Sequence, residues 1–323
     1  DLPTKPLESI DDPAGEISLC TLTAINWGAI KDPKGFKKPA ELLVRALDEL
    51  LDYQDYPILA AERSTMNRRP LGVGIINFAY WMAKNDMTYT DPNLEMIDEW
   101  TEAWSYYLIK ASNVLANEKG SCKLNYQTKY SQGILPVDTY KKDVDELVPH
   151  NPKMDWDKLR SALKSNGIRN STLMALMPSE TSSQISNATN GIEPPRALVS
   201  VKQSKHGVLK QVVPSIHHLK NKYELLWDQK SPRGYLNICD VLQKYVDQGI
   251  SVNTSYNPQH FDEEKIPMSE LLTDIIQFYK FGGKQLYYFN TFDGATDDVE
   301  EPAHPYVEQD NPIEEEDCES CVL

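Results

Sequence analysis

Three stretches of the 323-residue sequence carry residue types able to do chemistry. The first runs from Pro178 through Ser179, Glu180, Thr181, Ser182 and Ser183 to Asn190, directly after the apolar strand candidate 173–177. Such a turn offers free backbone N–H groups, hydroxyl donors and the positive end of a helix dipole, a set that suits phosphate. Arg196, in Gly191-Ile192-Glu193-Pro194-Pro195-Arg196, adds a cation for a charge-assisted contact. On pattern alone, a capped helix in a Ser/Thr-rich loop is the plainer account. The charge of Glu180 also opposes a phosphate unless its carboxylate bonds elsewhere.

The second stretch is Cys318-Glu319-Ser320-Cys321. A metal site is a poor reading, because no second Cys or His pair stands nearby. Glu314, Glu315, Glu316, Asp317 and Glu319 surround the thiols with negative charge, which raises thiol pKa values. The pair therefore reads as a passive dithiol, oxidised and re-reduced by others, or as two spectator cysteines. It stands 28 residues beyond Asn290, a length of flexible chain that reaches roughly 30 Å.

The third is Gly282-Gly283-Lys284-Gln285-Leu286-Tyr287-Tyr288-Phe289, an aromatic strand entered from two glycines. Aromatic strands are most often core filling. Adjacent tyrosines in a regular strand face opposite ways, so a contact between these phenols requires a local distortion. Cys20, in Gly15-Glu16-Ile17-Ser18-Leu19-Cys20-Thr21-Leu22, reads from pattern as a buried small hydrophobe. His217-His218 and the arginines Arg63, Arg68 and Arg69 read as solvated or structural.

The elements that must position these groups are helices alternating with short buried strands, an α/β class. Apolar periodicity predicts a helix over 39–53, with Leu42, Leu43, Leu47, Leu50 and Leu51 on one stripe. Asp91-Pro92 opens a long helix that ends before Gly120. Helices are also predicted over 155–166, 235–248 and 269–280, each stopped by glycine. Strands are predicted at 71–76, 171–177, 250–255 and 284–289.

Twelve of the 48 acidic residues and none of the 33 basic ones fall between 291 and 323. The net charge of −15 is thus mostly a tail, and residues 1–290 are close to neutral. Two units are expected: a globular 1–290 and an acidic, disordered 291–323. Neither advertises a groove for nucleic acid, and no apolar run is long enough for a membrane helix. Five widely spaced cysteines do not read as a secreted disulfide framework, which favours a reducing, cytoplasmic setting.

Taken together these residues resemble the large subunit of class I ribonucleoside-diphosphate reductases, the aerobic, small-subunit-dependent family. The likeness runs from Leu2-Pro3-Thr4-Lys5-Pro6-Leu7 to the terminal cysteines, and its most specific motif is PSETSSQISNATNGIEPPR, 178–196. It implies the C-terminal part of a ten-stranded α/β barrel, built from two half-barrels of parallel strands. It implies that the loop Ser179–Ser183 is the substrate diphosphate site, with Thr181 and Ser182 as donors and Arg196 close by, Leu22 and Pro178 walling the pocket and the Glu180 carboxylate bonded to backbone or ribose. Cys20 resembles a cysteine that supplies reducing electrons and ends in a disulfide with a partner far upstream. Tyr287 and Tyr288 resemble a stacked pair that relays a radical. Cys318 and Cys321 resemble the swinging dithiol that is reduced by thioredoxin or glutaredoxin, although many relatives space that pair more widely.

The resemblance also implies what this sequence does not contain. The thiyl cysteine and its carboxylate, the partner of Cys20 and the nucleotide-effector sites belong to an N-terminal part that precedes DLPTKPL. The radical cofactor, metal or tyrosyl, belongs to a small subunit, and no cofactor is expected on this chain. The expected partners are that N-terminal part, the small subunit, thioredoxin or glutaredoxin, and a ribonucleoside diphosphate. A split gene product or an incomplete sequence would each explain a start at Asp1. Two other readings stand beside this one: a degenerate module that binds the small subunit or the other half without turnover, and a thiol-disulfide carrier with a globular anchor.

Overall fold

The computed structural model describes residues 9, 12, 14–204 and 207–294. Cys318 and Cys321, and the tail expected from 295 onwards, lie outside the described residues. In chain order the elements are β1 (Thr21–Asn26), α1 (Lys37–Tyr53), α2 (Leu59–Arg68), β2 (Leu71–Ile76), α3 (Phe78–Lys84), α4 (Leu94–Lys119), α5 (Pro136–Thr139), α6 (Trp156–Asn166) and α7 (Glu180–Ile185). They continue with β3 (Val199–Ser204), β4 (Gly207–Val212), α8 (Ile216–Leu219), α9 (Arg233–Gln243), β5 (Ser251–Tyr256), α10 (Met268–Phe281) and β6 (Gln285–Thr291).

β1 and β2 pair in parallel, as do β5 and β6, while β3 and β4 form an antiparallel hairpin. The predicted strand at 171–177 is an extended segment with a single parallel bridge, Val73 to Met174. It docks on β2 through Leu71 N–H to the Thr172 carbonyl, Val73 N–H to Leu173 and Ala175 N–H to Val73. Every residue of β2 is buried, as expected of a strand flanked on both edges and covered on both faces. Among the described residues the named strands make three two-stranded sheets, and no ten-stranded barrel is closed.

The helices follow their local signals closely. Asp155 caps α6 by accepting the Lys158 N–H, and Gly167 ends it at φ 71°. α4 is capped by Asn93, which accepts the Met96 N–H, two residues later than Asp91-Pro92 suggests. In α1 the buried stripe is Ala40, Val44, Leu47 and Leu51, spaced four, three and four. Leu42 and Leu50 sit off that stripe and are exposed.

α9 ends at Gln243, five residues before the predicted stop, because tertiary bonds outcompete the helix. The buried Asp98 of α4 takes the Lys244 ammonium at 2.7 Å and the Tyr245 hydroxyl at 3.1 Å. Asp247 accepts the Leu173 and Met174 N–H groups and the Tyr130 hydroxyl. A buried carboxylate left unpaired is costly, so these bonds fix the chain path. Of the two readings open for Arg68 and Arg69, the structural one holds: both are buried. Arg68 pairs with Glu16, and Arg69 pairs with Asp48 and Asp52. Trp27, Phe36, Phe78, Trp81 and Trp100 pack ring to ring beneath β1 and β2 and hold this layer together.

Candidate active site

β1, β2 and the 172–177 segment run in one direction and end together. In such sheets ligands bind beyond the carboxyl ends of the strands. Here those ends are Asn26, Asn77 and Pro178, and they are stitched to the Ser/Thr-rich loop. Asn77, left-handed at φ 65°, donates its backbone N–H to the Thr189 carbonyl at 2.8 Å. Its Oδ1 accepts the Thr189 N–H at 3.1 Å, and its Nδ2 donates to Asn26 Oδ1 at 3.0 Å. Thus the loop is anchored on both strands by one asparagine.

Within the loop, Ser179 is buried. Its N–H is held by Asn190 Oδ1 at 2.7 Å and its hydroxyl donates to the Met177 carbonyl at 3.3 Å. It therefore shapes the turn and does not point donors outward. Thr181 and Ser182 lie exposed in the first turn of α7, where backbone N–H groups have no helical acceptor. Pro178 and Arg196 are exposed. Arg196 lines an open cleft of about 400 Å³ together with Thr189, Asn190, Glu193 and Gln211. Glu180 opens α7.

Cys20 stands immediately before β1, and Leu22, two residues on, shares its face. An added Cβ on Gly72 would lie 2.5 Å from Leu22 Cδ2, 2.7 Å from Cys20 Sγ and 3.1 Å from Ala175 Cβ. One on Gly74 would lie 2.6 Å from Met177 Sδ. Only glycine at both positions leaves room for this face, which leads from the thiol along the strands to the loop after Met177. Burial pushes the Cys20 thiol up to about 11, with a Gln248 hydrogen bond opposing the rise and Asp247 adding to it. The protonated thiol is the resting form at neutral pH. Alkylation of Cys20 by iodoacetamide, followed by peptide mass spectrometry, should therefore keep accelerating well above pH 9.0, the ordinary value. A plateau at that value would contradict the burial.

Tyr287 and Tyr288 carry the distortion that their contact needs. The β5–β6 register pairs Val252 with Leu286 and then Thr254 with Phe289, so Asn253 alone faces both tyrosines across a bulge. The extra residue turns two side chains that would diverge towards the same side. Their ring centroids stand 4.3 Å apart at 60°, a tilted contact and not a parallel stack. The adjoining Tyr287 phenol holds the Tyr288 pKa above its usual value. Both rings are exposed.

The Tyr288 N–H donates to Asn253 Oδ1 at 3.1 Å, and Asn253 Nδ2 donates to Glu193 Oε1 at 2.7 Å. The tyrosine pair is thereby joined to the segment that carries Arg196. Asn253, Glu193, Asn77, Gly72 and Gly74 are contributors that sequence reasoning missed. Two glycines in an otherwise apolar strand were the available signal for close approach. The larger cavity, about 680 Å³, lies at the opposite ends of the strands, against Thr172, Asp247 and Lys284. It includes Asp240, whose buried carboxyl is pushed up to about 9. No helix among the described residues is long and apolar enough to cross a membrane.

Comparison with known proteins places this geometry in a family. The ribonucleotide reductase barrel-domain profile matches residues 6–225 and 213–289. The chain is 56% identical over 297 residues to the ribonucleoside-diphosphate reductase subunit alpha of Haemophilus influenzae, covering 92% of this chain and 39% of that protein. It is 54% identical over 261 residues to the 1 subunit alpha of Escherichia coli, covering 80% of this chain and 34% of that protein. Against the subunit alpha of Enterobacteria phage T4 it is 43% identical over 325 residues, covering 98% and 41%. The chain thus spans about two fifths of the length of these relatives. It belongs to the ribonucleotide reductase barrel-domain family.

Proposed function

We propose that this chain is the C-terminal part of the large subunit of a class I ribonucleotide reductase, forming part of a ten-stranded barrel. In that role it takes part in converting ribonucleoside diphosphates to 2′-deoxyribonucleoside diphosphates. The observation that carries the reading is the bulge at Tyr287–Tyr288, which turns adjacent strand tyrosines into a contacting pair. A core-filling strand has no need of it. A phenol can release an electron and a proton together, so the pair suits relay of a radical from a small subunit.

In this reading Thr181 and Ser182 donate to the substrate diphosphate from the first turn of α7, and Arg196 adds charge from the neighbouring cleft. Ser179 and Glu180 shape or bound the same loop, and Leu22 and Pro178 wall the pocket. Cys20 and a second cysteine, supplied by the remainder of the large subunit, give two electrons and two protons. The 2′-hydroxyl leaves as water, a C–H bond replaces it, and the two thiols become a disulfide. A neutral Cys20 thiol suits that step because it carries the proton to be delivered. The thiyl cysteine that starts the reaction and the effector sites would also come from the remainder.

Cys318 and Cys321 would then reduce the Cys20 disulfide by exchange and be reduced in turn by thioredoxin or glutaredoxin. In the assembled enzyme, Cys318→Ser with Cys321→Ser should leave dithiothreitol-supported turnover intact and remove thioredoxin-supported turnover. Equal support by both reductants would rule out the shuttle.

A further inference from the structure

We propose that Asn253 is the positioning residue that sets the Tyr287–Tyr288 contact and ties it to the substrate loop. This rests on the relay reading of the tyrosine pair. A bulge leaves the ladder locally unpaired and a backbone donor without its usual partner. At this bulge the Asn253 amide replaces the missing ladder acceptor, since its Oδ1 takes the Tyr288 N–H at 3.1 Å. Its Nδ2 donates to Glu193 Oε1 at 2.7 Å. The amide orientation is fixed by its neighbours: a backbone N–H needs the oxygen, and a carboxylate needs the NH₂.

The backbone on either side of Glu193 is itself held. The buried Tyr89 hydroxyl donates to the Ile192 carbonyl at 2.8 Å, and Leu226 N–H donates to the Pro195 carbonyl at 2.8 Å. The backbone that carries Glu193, three residues before Arg196, is therefore a fixed anchor. Asn253 hangs between that anchor and the bulge, so the place of the Tyr288 backbone is set by the loop that lines the substrate cleft. The 4.3 Å contact between the Tyr287 and Tyr288 rings depends on that placement. Alanine keeps the strand but frees the bulge. Aspartate keeps the acceptor for Tyr288 but turns a carboxylate against Glu193.

The test has two parts, chosen so that the positioning claim and the relay reading fail separately. On this chain alone, 3-fluorotyrosine replacing Tyr288 reports the phenol titration by ¹⁹F NMR. The alkaline shift present in the unsubstituted background should be lost on Asn253→Ala, and its persistence would overturn the positioning claim. In the assembled reductase, Asn253→Asp should lower turnover roughly 10–100-fold, the scale of a misplacement near 1 Å, with KM for the ribonucleoside diphosphate unchanged. Adding Glu193→Gln exchanges donor and acceptor and re-forms the bond, so turnover should return to within a few-fold. A purely structural role predicts no such rescue and a change in KM, and that result would overturn the proposal. Tyr287→Phe in the same assembly is the control for the relay: full turnover there removes the relay reading, whatever the titration on this chain reports about Asn253.

Discussion

Replacing either Tyr287 or Tyr288 by phenylalanine is expected to stop nucleotide reduction in the assembled enzyme while leaving nucleotide binding intact. The ring stays, so the 4.3 Å contact and the packing of β6 change little. What is lost is the hydroxyl, and with it, in the relay reading, the proton that would leave with the electron, as well as the influence of one phenol on the other. A drop of about 10³-fold, equivalent to about 4 kcal/mol of barrier, is the expected scale. Both rings are exposed in this chain, so neither substitution should cost measurable stability. Single-turnover assays with substrate-binding measurements separate the two effects. Retained turnover in either variant removes the relay assignment.

The second large effect is expected at a residue with no reactive group. Gly72→Ala places a methyl carbon 2.7 Å from Cys20 Sγ and 2.5 Å from Leu22 Cδ2. The end of the half-exposed Leu22 side chain can swing away. The Cys20 sulfur, placed by a single side-chain torsion, can leave only by changing rotamer, which turns the thiol off the face it shares with the loop. Turnover should fall about 10²-fold, with Cys20 alkylation altered in the same variant. Gly249→Ala is the matched control, since its Cβ would meet only Gln285 Oε1, at 3.9 Å. Equal behaviour of the two variants would contradict the crowding argument.

Helix ends were legible because their signals are local: Asp155 and Gly167 bracket α6, and Gly120 and Gly282 close α4 and α10. The end of α9 was not, because the residue foremost in breaking it from outside, Asp98, sits more than a hundred positions away. β1 and the β3–β4 hairpin were missed for a related reason. β1 alternates weakly and is made a strand by its pairing with β2, and the hairpin strands mix polar with apolar residues.

The candidate site divides in the same way. Adjacent tyrosines in a strand announced that a distortion was required, but only pairing with β5 shows the bulge opposite Asn253. Ser179 looked like a ligand donor by type, yet Asn190 and Met177 already hold its donors. Residue type identifies which atoms are able to react or bind. Which of them remain available depends on partners distant in sequence.

The most direct measurement is reconstitution. This chain, the remainder of the large subunit and the radical-generating small subunit are mixed with a thioredoxin system, and ribonucleoside diphosphate reduction is followed. The expected result is turnover only when all are present. No turnover, with the small subunit and the remainder each active alongside a whole relative, would contradict it and leave a chain that keeps the family's fold without its reaction.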